Sequence, residues 1–411
     1  MRIAFLIDQF PALSETFILG QITGLIDRGH EVDIFTDRPG NTAQMHPEVE
    51  RYRLLDRTYY NKVPKNILWR VIKAIILFVV YLIKAPKTLL QVLAFPKYKF
   101  AKYGELAGFL KLFYLVVPFL NKPLYNIIHC HYGRNGLKAI LLKDLGIIQG
   151  KIIVAFHGYD ISRYLQIHGE DIYDYLFSKA DLLQPISQHW QQKLIALGCN
   201  ETKITVHHMG IDCNKFTFIS HRASREQIRL VSIARLVEKK GLQYGIEAVS
   251  KLVPSYPHLE YQIIGDGVLQ ADLQQLIDQL NVGENVKLLG WREQQEVAAI
   301  IADADLVLAP SITSLDGDCE GIPVSLMEAM AEGLPVVSTY HSGIPELIQD
   351  GVSGYLVAER EVDTLAAKIN YLLMNPEIGR EMGLAGRKIV ETDYNIEILN
   401  DLLAKIYQQL I

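Results

Sequence analysis

Cysteine is scarce in this sequence, and its few occurrences show no pairing pattern. Cys130, Cys199, Cys213 and Cys319 are scattered over 411 residues, and no two of them have the CxxC spacing of a zinc or redox site. A chain of this length can form cores without disulfides. We therefore expect reduced thiols in a cytosolic protein, and no metal site built on cysteine.

The sequence also lacks long apolar runs and a strong net charge. The uninterrupted apolar run from Ala74 to Ile83 is far shorter than the about 20 residues that cross a bilayer as a helix. Asp8 interrupts the N-terminal run MRIAFLIDQF before a signal-peptide core could form, so this run is predicted to be the first strand. A formal net charge of -5 gives no reason to expect nucleic acid as a partner. No GxGxxG follows the first strand, which disfavours an NAD-dependent dehydrogenase.

Short apolar runs alternate with helical patterns along the whole chain. The predicted strands are IAFLI, EVDIFT, NIIHCHY, KIIVAFH and ADLLQPIS in the N-terminal half, then IRLVSIA, EYQIIG, VKLLG, ADLVLAPS and LPVVST. This alternation is typical of a doubly wound parallel α/β structure, and its restart predicts two Rossmann-like domains facing each other across a cleft. We expect domains at 1–210 and 211–385, with a linker over residues 210–227.

The segment CEGIPVSLMEAMAEGLPVVST, from Cys319 to Thr339, sets two carboxylates at the two ends of a predicted helical turn. Pro323 suits the first helical position and Gly333 ends the helix, so Glu320 falls in the preceding loop and Glu328 in the second turn. A helix N-terminus offers free N–H groups to a phosphate, and carboxylates accept hydrogen bonds from sugar hydroxyls. The pattern indicates a sugar-nucleotide site, although two acids at this spacing also occur on ordinary amphipathic helices.

The flanking sequences favour the sugar-nucleotide interpretation. With ADADLVLAPS before it and SGIPELIQDGVSGYLV after it, the segment resembles the donor-site signature of retaining, nucleotide-sugar-dependent glycosyltransferases of family 4, which have the GT-B fold. The resemblance implies that Glu320 contacts the donor sugar and Glu328 the ribose, with Gly321, Ile322 and Pro323 lining the donor. It also implies a C-terminal helical segment, 386–411, that packs back on the first domain.

Two basic residues follow the first strand of the C-terminal half. Arg235 comes directly after IRLVSIA, and Lys240 lies one short loop later. Arginine can bond two phosphate oxygens at once and lysine adds a mobile charge, so the pair suits a diphosphate, although a solvated basic turn would look the same. The resemblance implies that both cations stabilise the departing nucleotide. Lys239 is one residue too early for the family lysine.

Two glycine loops fit the same site with less specificity. Gly265 and Gly267 form a turn after the strand EYQII, where missing side chains let backbone amides approach a ligand, although such turns also simply reverse the chain. Gly343 lies in HSGIPE, which resembles the family loop near the donor sugar. Ser342 stands there where a glycine is often found.

The N-terminal half offers histidines and a polar turn. His157, in VAFHGYD, follows a predicted strand and could donate to a sugar hydroxyl or phosphate, although a single histidine is more often structural. The resemblance implies that His157 contacts the transferred sugar, and we expect His131 on the acceptor side. In QFPALSETFI, Ser14 suits a helix N-cap, with Glu15 and Thr16 in the first turn. These three either shape the acceptor side or only cap the helix.

The PxxSETF form of this turn resembles the branch of the family that builds bacterial exopolysaccharides. The resemblance therefore implies transfer from a UDP- or GDP-sugar to a glycan or lipid-linked acceptor, with retention of configuration and without a metal ion or other cofactor. Asp316 and Asp318 would then belong to the donor loop and not to a metal site. The alternatives are a sugar-nucleotide epimerase and a non-catalytic sugar-nucleotide-binding protein.

The family core does not account for residues 61–122. This segment interleaves many lysines with apolar and aromatic runs, and Glu105 is its only acid. Such a pattern suits helices in the headgroup layer of an anionic membrane, or helices that pack on the first domain and expose a lysine-rich face. We expect a peripheral protein at the inner face of the plasma membrane, whose binding weakens with lysine-to-glutamate changes at Lys73, Lys84 and Lys87.

Overall fold

A computed structural model of the chain describes residues 1–61, 63–64, 66–84, 86, 89–90, 92, 109–218 and 227–411. Contacts between residues divide the chain into two units. Unit 1 comprises Met1–Pro185, Gln191–His207 and Asn400–Ile411, and unit 2 comprises Ile186–Trp190 and His208–Leu399. Two segments therefore belong to a different unit from the one that the expected domain boundaries give them. Residues 186–190 belong to unit 2, and only residues 400–411 of the C-terminal segment belong to unit 1.

Unit 1 is built on a parallel sheet with strand order β3-β2-β1-β4-β5-β6. Its strands are β1 (Arg2–Phe10), β2 (Glu31–Pro39), β3 (Thr58–Tyr60), β4 (Ile127–His131), β5 (Lys151–Phe156) and β6 (Leu182–Pro185). All but the short β3 were predicted from apolar runs. Strands β4 and β5 are buried almost continuously, as expected for a parallel sheet covered on both faces.

Helices connect these strands. They are α1 (Thr16–Asp27), α2 (Pro47–Arg51), α3 (Ile67–Lys84), α4 (Phe109–Val116), α5 (Gly133–Asp144), α6 (Arg163–His168), α7 (Asp174–Lys179) and α8 (Gln188–Ala196). The prediction that Ser14 caps α1 is wrong, because Glu15 occupies the N-cap position. The backbone carbonyl of Glu15 accepts the first helical hydrogen bonds, from Ile18 and Leu19, while its side chain makes no cap bond.

Unit 2 repeats the architecture with strand order β12-β11-β10-β7-β8-β9, again parallel. Its strands are β7 (Arg229–Ile233), β8 (Glu260–Ile264), β9 (Val286–Gly290), β10 (Leu306–Ala309), β11 (Val336–Thr339) and β12 (Tyr355–Val357). The helices are α9 (Leu242–Leu252), α10 (Gln270–Gln279), α11 (Gln294–Ala302), α12 (Val324–Ala331), α13 (Ile344–Leu347), α14 (Val362–Met374) and α15 (Pro376–Asp393). A last helix, α16 (Ile396–Leu410), begins in unit 2 and continues in unit 1 from Asn400.

The segment predicted as a linker is partly integrated into unit 2. Ile211 and Cys213 are buried in its core, and Ile211 forms a parallel bridge with Asn395. Residues 219–226 of the predicted linker lie outside the described part of the chain. Because most residues of the segment are polar, the sequence did not indicate that Ile211 and Cys213 are buried.

The end of α16, from Asn400 onward, is part of unit 1. The hydroxyl of Tyr407 lies 2.5 Å from Nδ1 of the buried His129, and Arg28 forms an ion pair with Asp401 at 2.7 Å. These contacts account for the assignment of residues 400–411 to unit 1.

The lysine-rich segment forms helices α3 and α4 where it is described. Several lysines of this segment lie outside the described residues, namely Lys62, Lys65, Lys87, Lys97, Lys99 and Lys102. The side chains of Lys84 and Lys111 also lie outside the described part of the chain. Helix α3 packs on α4 through the buried Tyr81, whose hydroxyl donates to the carbonyl of Phe113 at 3.2 Å. Within the described ranges, no helix is both long and apolar enough to cross a membrane.

Candidate active site

The loop before α12 holds a buried carboxylate between two lysines. Glu320 is 7% exposed, and its Oε2 accepts a hydrogen bond from Nζ of Lys240 at 2.7 Å. Nζ of Lys239 lies 3.4 Å from the other carboxylate oxygen. Burial alone would raise the pKa of Glu320, but the two ammonium groups outweigh it and lower this pKa to about 2. The carboxylate therefore stays ionised at physiological pH.

Lys239 has a different role from its neighbour. Its buried ammonium group donates to Oδ1 of Asp318 at 3.1 Å and to the carbonyl of Cys319 at 3.2 Å, so it fixes the loop that carries Glu320. Asp316 in turn accepts hydrogen bonds from the Ser314 hydroxyl and from the Asp318 backbone. Asp316 and Asp318 therefore both have partners already, Asp316 within the loop and Asp318 on Lys239. In the described chain, no group of three or more His, Cys, Asp or Glu residues is arranged to hold a metal ion.

His341, which the sequence did not single out, fixes the backbone of Glu320. Its Nε2 lies 3.0 Å from the Glu320 backbone nitrogen, and its Nδ1 lies 2.6 Å from Oε1 of Glu359. A backbone N–H can only donate, so Nε2 must carry a lone pair and the proton must sit on Nδ1, facing Glu359. The motif HSGIPE contains His341, but nothing in it indicates either distant partner.

The two residues after His341 complete the contact with the donor loop. Ser342 adopts a left-handed conformation with φ of 48°, and its hydroxyl donates to the Glu320 carbonyl at 2.7 Å. This bond shows how a serine is accommodated where the family often has glycine. A Cβ on Gly343 would lie 2.8 Å from Cγ1 of Ile322, so the absence of a side chain permits close packing. Ile322 is 2% exposed and its side chain packs in the core of unit 2, so its contact with a donor stays a prediction.

Helix α12 carries the second predicted carboxylate. The helix begins at Val324, and Pro323 is its N-cap. Pro323 was predicted to be the first helical residue, so the helix begins one residue later than predicted. Glu328 lies in the second turn, about 7.5 Å along the axis from Pro323. It is half-buried and makes no hydrogen bond or ion pair with the described residues. Burial and the neighbouring Glu332 raise the pKa of Glu328 to about 7.

Arg235 lies at the carboxyl end of β7, as predicted. Its side chain is exposed, and it forms no ion pair within the described ranges. The loop after β8 approaches the same turn closely, since a Cβ on Gly265 would lie 2.1 Å from the Ala234 carbonyl oxygen, and one on Gly267 2.3 Å from that of Leu236. Backbone packing alone therefore accounts for these glycines, and their contact with a ligand stays a prediction.

Unit 1 brings the two predicted histidines together. His131 ends β4 and His157 follows β5, and Nδ1 of His131 lies 2.9 Å from Nε2 of His157. Burial lowers the pKa of His157 to about 3 and holds that of His131 well below its usual range. Both rings are therefore neutral, so they can exchange hydrogen bonds with hydroxyls but cannot offset the charge of a leaving phosphate.

Asp160, the acid of HGYD, positions the His157 loop. Its buried carboxylate accepts hydrogen bonds from the backbone of His157 at 2.9 Å, Gly158 at 3.1 Å and Gly133 at 3.0 Å. Burial raises the pKa of Asp160 to about 6, although these bonds act in the opposite direction. The side chain of Asp160 therefore holds the loop after β4 and the loop after β5 together.

Of the three residues predicted in the first turn, Glu15 is the one with a specific partner. Its carboxyl group accepts a hydrogen bond from the Tyr132 hydroxyl at 2.9 Å, and burial raises its pKa. The Tyr132 ring also lies 4.7 Å from that of His157, so Glu15 belongs to the same cluster as the histidines. Ser14 is exposed and Thr16 half-buried, and neither makes a side-chain hydrogen bond with the described residues.

Two family profiles match consecutive parts of the chain. The one described as Glycosyltransferase Family 4 matches residues 14–215, and the one described as Glycosyl transferases group 1 matches residues 215–389.

Full-length relatives and solved structures agree with these matches. The amylovoran biosynthesis glycosyltransferase AmsK of Erwinia amylovora is 41% identical over 100% of both chains. The putative colanic acid biosynthesis glycosyltransferase WcaL of Salmonella typhimurium is 37% identical over 99% of this chain and 100% of its own. HepE of Anabaena in complex with UDP and glucose superposes with a TM-score of 0.71 at 18% identity over 100% of both chains, which shows the fold. The chain therefore belongs to glycosyltransferase family 4 and has the GT-B fold that its motifs predicted.

Proposed function

We propose that this protein transfers a sugar from a UDP- or GDP-sugar to a glycan or lipid-linked acceptor in bacterial exopolysaccharide biosynthesis, with retention of anomeric configuration. The observation that carries this proposal is the contact at 2.7 Å between the buried carboxylate of Glu320 and Nζ of Lys240. An ammonium group has three donors, so Lys240 keeps two for a phosphate while it holds the carboxylate. The relatives named for amylovoran and colanic acid support the class of acceptor.

The proposed residues divide the charge that develops during transfer. As the bond between the anomeric carbon and the diphosphate oxygen breaks, positive charge grows on the sugar and negative charge on the diphosphate. Lys240 and Arg235 would stabilise the leaving diphosphate, and preorganised donors of this kind contribute about 3 kcal/mol each. Glu320, which is ionised at physiological pH, would accept hydrogen bonds from the sugar. An oxygen of the donor phosphate would take the proton of the acceptor hydroxyl.

The products of the reaction distinguish a glycosyltransferase from an epimerase and from a non-catalytic binding protein. An epimerase would rearrange the donor or release nucleotide without an acceptor, and a binding protein would leave the donor intact. Family membership favours transfer over both. We expect the released nucleotide and the glycosylated acceptor to form in equal amounts, as followed by chromatography of both.

Nucleotide-sugar affinity should depend on the ionisation of Glu328. Its pKa is raised from 4.5 to about 7, so the carboxyl group is protonated below that pH and ionised above it. If the carboxylate accepts hydrogen bonds from the ribose, affinity should rise about tenfold between pH 6 and pH 8. The measurement is titration calorimetry with a nucleotide sugar, because its diphosphate, unlike a terminal phosphate, loses no proton in this range.

Two variants serve as controls for this pH dependence. Glu328→Gln should bind weakly with a flat profile, since the amide does not ionise. Glu332→Gln removes the neighbouring acid that raises the pKa of Glu328, so the profile should move to lower pH. Identical profiles in the wild type and Glu328→Gln would remove Glu328 from the ribose site.

Transfer should proceed without a divalent cation. Arg235 and Lys240 supply positive charge where a metal ion would otherwise neutralise the diphosphate, so EDTA should leave the initial rate unchanged. The rate is measured on dialysed protein with and without EDTA. Loss of activity in EDTA that magnesium or manganese restores would contradict this assignment.

We also propose that the protein is cytoplasmic and peripheral at the inner face of the plasma membrane. The observation that favours this proposal is the apolar face that α3 leaves uncovered, which carries Trp69 (64% exposed), Ile76 (57%) and Ile83 (74%). Together with the many lysines of the segment, such a face suits insertion among anionic lipid headgroups. A lipid-linked acceptor would then be within reach of the enzyme.

A further inference from the structure

A polar cavity lies in unit 1 at the edge of the sheet opposite the histidine loops. It has a volume of about 380 Å³ and is formed at the amino ends of β1 and β2, by the turn that follows α2, and by Tyr125 before β4. Because β4 is five residues long, this edge lies about 17 Å from the carboxyl edge that carries His131. No proposed role in sugar transfer involves this cavity.

The cavity wall is rich in arginine. Arg2, Arg51, Arg53 and Arg57 line it together with the carboxylates of Glu31, Asp33 and Asp56. Each carboxylate already has a partner in the wall: Glu31 pairs with Arg2 at 2.8 Å, Asp56 with Arg53 at 2.7 Å, and Asp33 accepts from the Tyr125 hydroxyl at 2.6 Å. Among the described residues, Arg51 and Arg57 are left without a carboxylate partner, and four arginines against three carboxylates give the wall one net positive charge.

Those two guanidinium groups keep donors for a ligand. Arg51 lies over the Tyr52 ring at 5.6 Å, and Arg57 is half-buried. Neither forms an ion pair with a carboxylate anywhere in the described chain. The planar fork of a guanidinium group matches two oxygens of a phosphate or a carboxylate.

We propose that this cavity binds a small sugar that carries an oxyanion, either a phosphate ester or a uronic carboxylate. Arg51 and Arg57 would bind the oxyanion, and the carboxylates of Asp33 and Glu31 would accept hydrogen bonds from sugar hydroxyls. The volume lies near the lower end of the about 300–1,000 Å³ of ligand pockets, which suits one monosaccharide and not a whole nucleotide sugar. The site is separate from the proposed transfer site and does not depend on it.

Titration calorimetry of the full chain at low ionic strength tests this site. The probes are glucose 1-phosphate, glucuronate and glucose. At least one anionic probe should bind, and glucose should bind at least about tenfold more weakly, because it offers no partner to the two arginines. Comparison of the two anions then identifies the phosphate or the carboxylate as the preferred group.

Variants separate this cavity from the cations of unit 2. Arg51→Ala and Arg57→Ala should each weaken binding of the anionic probe at least about tenfold. In the double variant Arg235→Ala/Lys240→Ala, binding of the anionic probe at the cavity should remain, whatever is lost at the proposed donor site. The exposed control Arg380→Ala should bind as the wild type does. If Arg57→Ala fails to fold, the exposed Arg51 carries the test. No binding of either anion at low millimolar concentration, or equal affinity in the wild type and the cavity variants, would overturn the proposal.

Discussion

Replacing Lys240 with alanine is expected to lower kcat about 10²–10³-fold, with a change of less than about tenfold in the dissociation constant of the nucleotide sugar. The reason is that the diphosphate becomes more negative as the glycosidic bond breaks, so the ammonium group stabilises the transition state more than the bound donor. Glu320 does not become an isolated buried charge in this variant, because Lys239 stays within 3.4 Å. Steady-state kinetics and calorimetry measure the two quantities.

Two lysine variants show whether the loss is specific. Lys388→Ala removes an exposed lysine of α15 and should leave kcat unchanged. Lys239→Ala should lower both activity and thermal stability, because it removes the bonds to Asp318 and Cys319 that hold the loop. Equal turnover in Lys240→Ala and the wild type would show that Lys240 does not act on the leaving group.

The second large effect concerns the apolar face of α3. The triple variant Trp69→Ala/Ile76→Ala/Ile83→Ala should bind anionic vesicles about a hundredfold more weakly than the wild type, since each side chain contributes about 1 kcal/mol when it enters the headgroup layer. These side chains are already exposed, so their loss should not unfold unit 1. Co-sedimentation with phosphatidylserine-containing vesicles measures the binding.

The control for α3 replaces apolar side chains elsewhere. Leu384, Met374 and Leu402 are also exposed, and their joint replacement by alanine should leave vesicle binding unchanged. Wild-type binding should weaken as salt is raised, because the lysines of residues 61–122 add an electrostatic attraction. If the wild type does not sediment with anionic vesicles even at low ionic strength, the peripheral-membrane proposal is wrong, and the segment is an intramolecular or partner-binding element.

The sequence predicted the sheets better than their edges. A buried strand such as β5 is a continuous apolar run bounded by polar residues, and that pattern is local. The edge strands β3 and β12 have three residues each, which is too short for any periodicity to stand out. Residue type also misled the prediction for α1, because Ser14 favours a cap in general, but the chain makes its turn one residue later.

The candidate site was predictable only where chemistry and sequence proximity coincide. Arg235 and Lys240 follow one strand, so their residue types already suggested a phosphate site. The role of Lys239 depends on Asp318, and that of His341 on Glu359, and both contacts join residues from different loops. Similarly, Glu15 meets Tyr132 only because the sheet brings β1 beside β4. No spacing rule links such residues before the fold is known.

We propose that the loop of Glu320 and Lys240, with Arg235 and Glu328, forms a nucleotide-sugar site in unit 2. Thermal unfolding of the purified protein with UDP, GDP, ADP and their sugars tests it most directly. UDP or GDP, at a hundred times its dissociation constant, should raise the midpoint by about 5–10 °C, and the shift should shrink in Glu328→Ala and in Arg235→Ala/Lys240→Ala. The absence of any shift with these ligands, or an equal shift in all three proteins, would contradict the assignment.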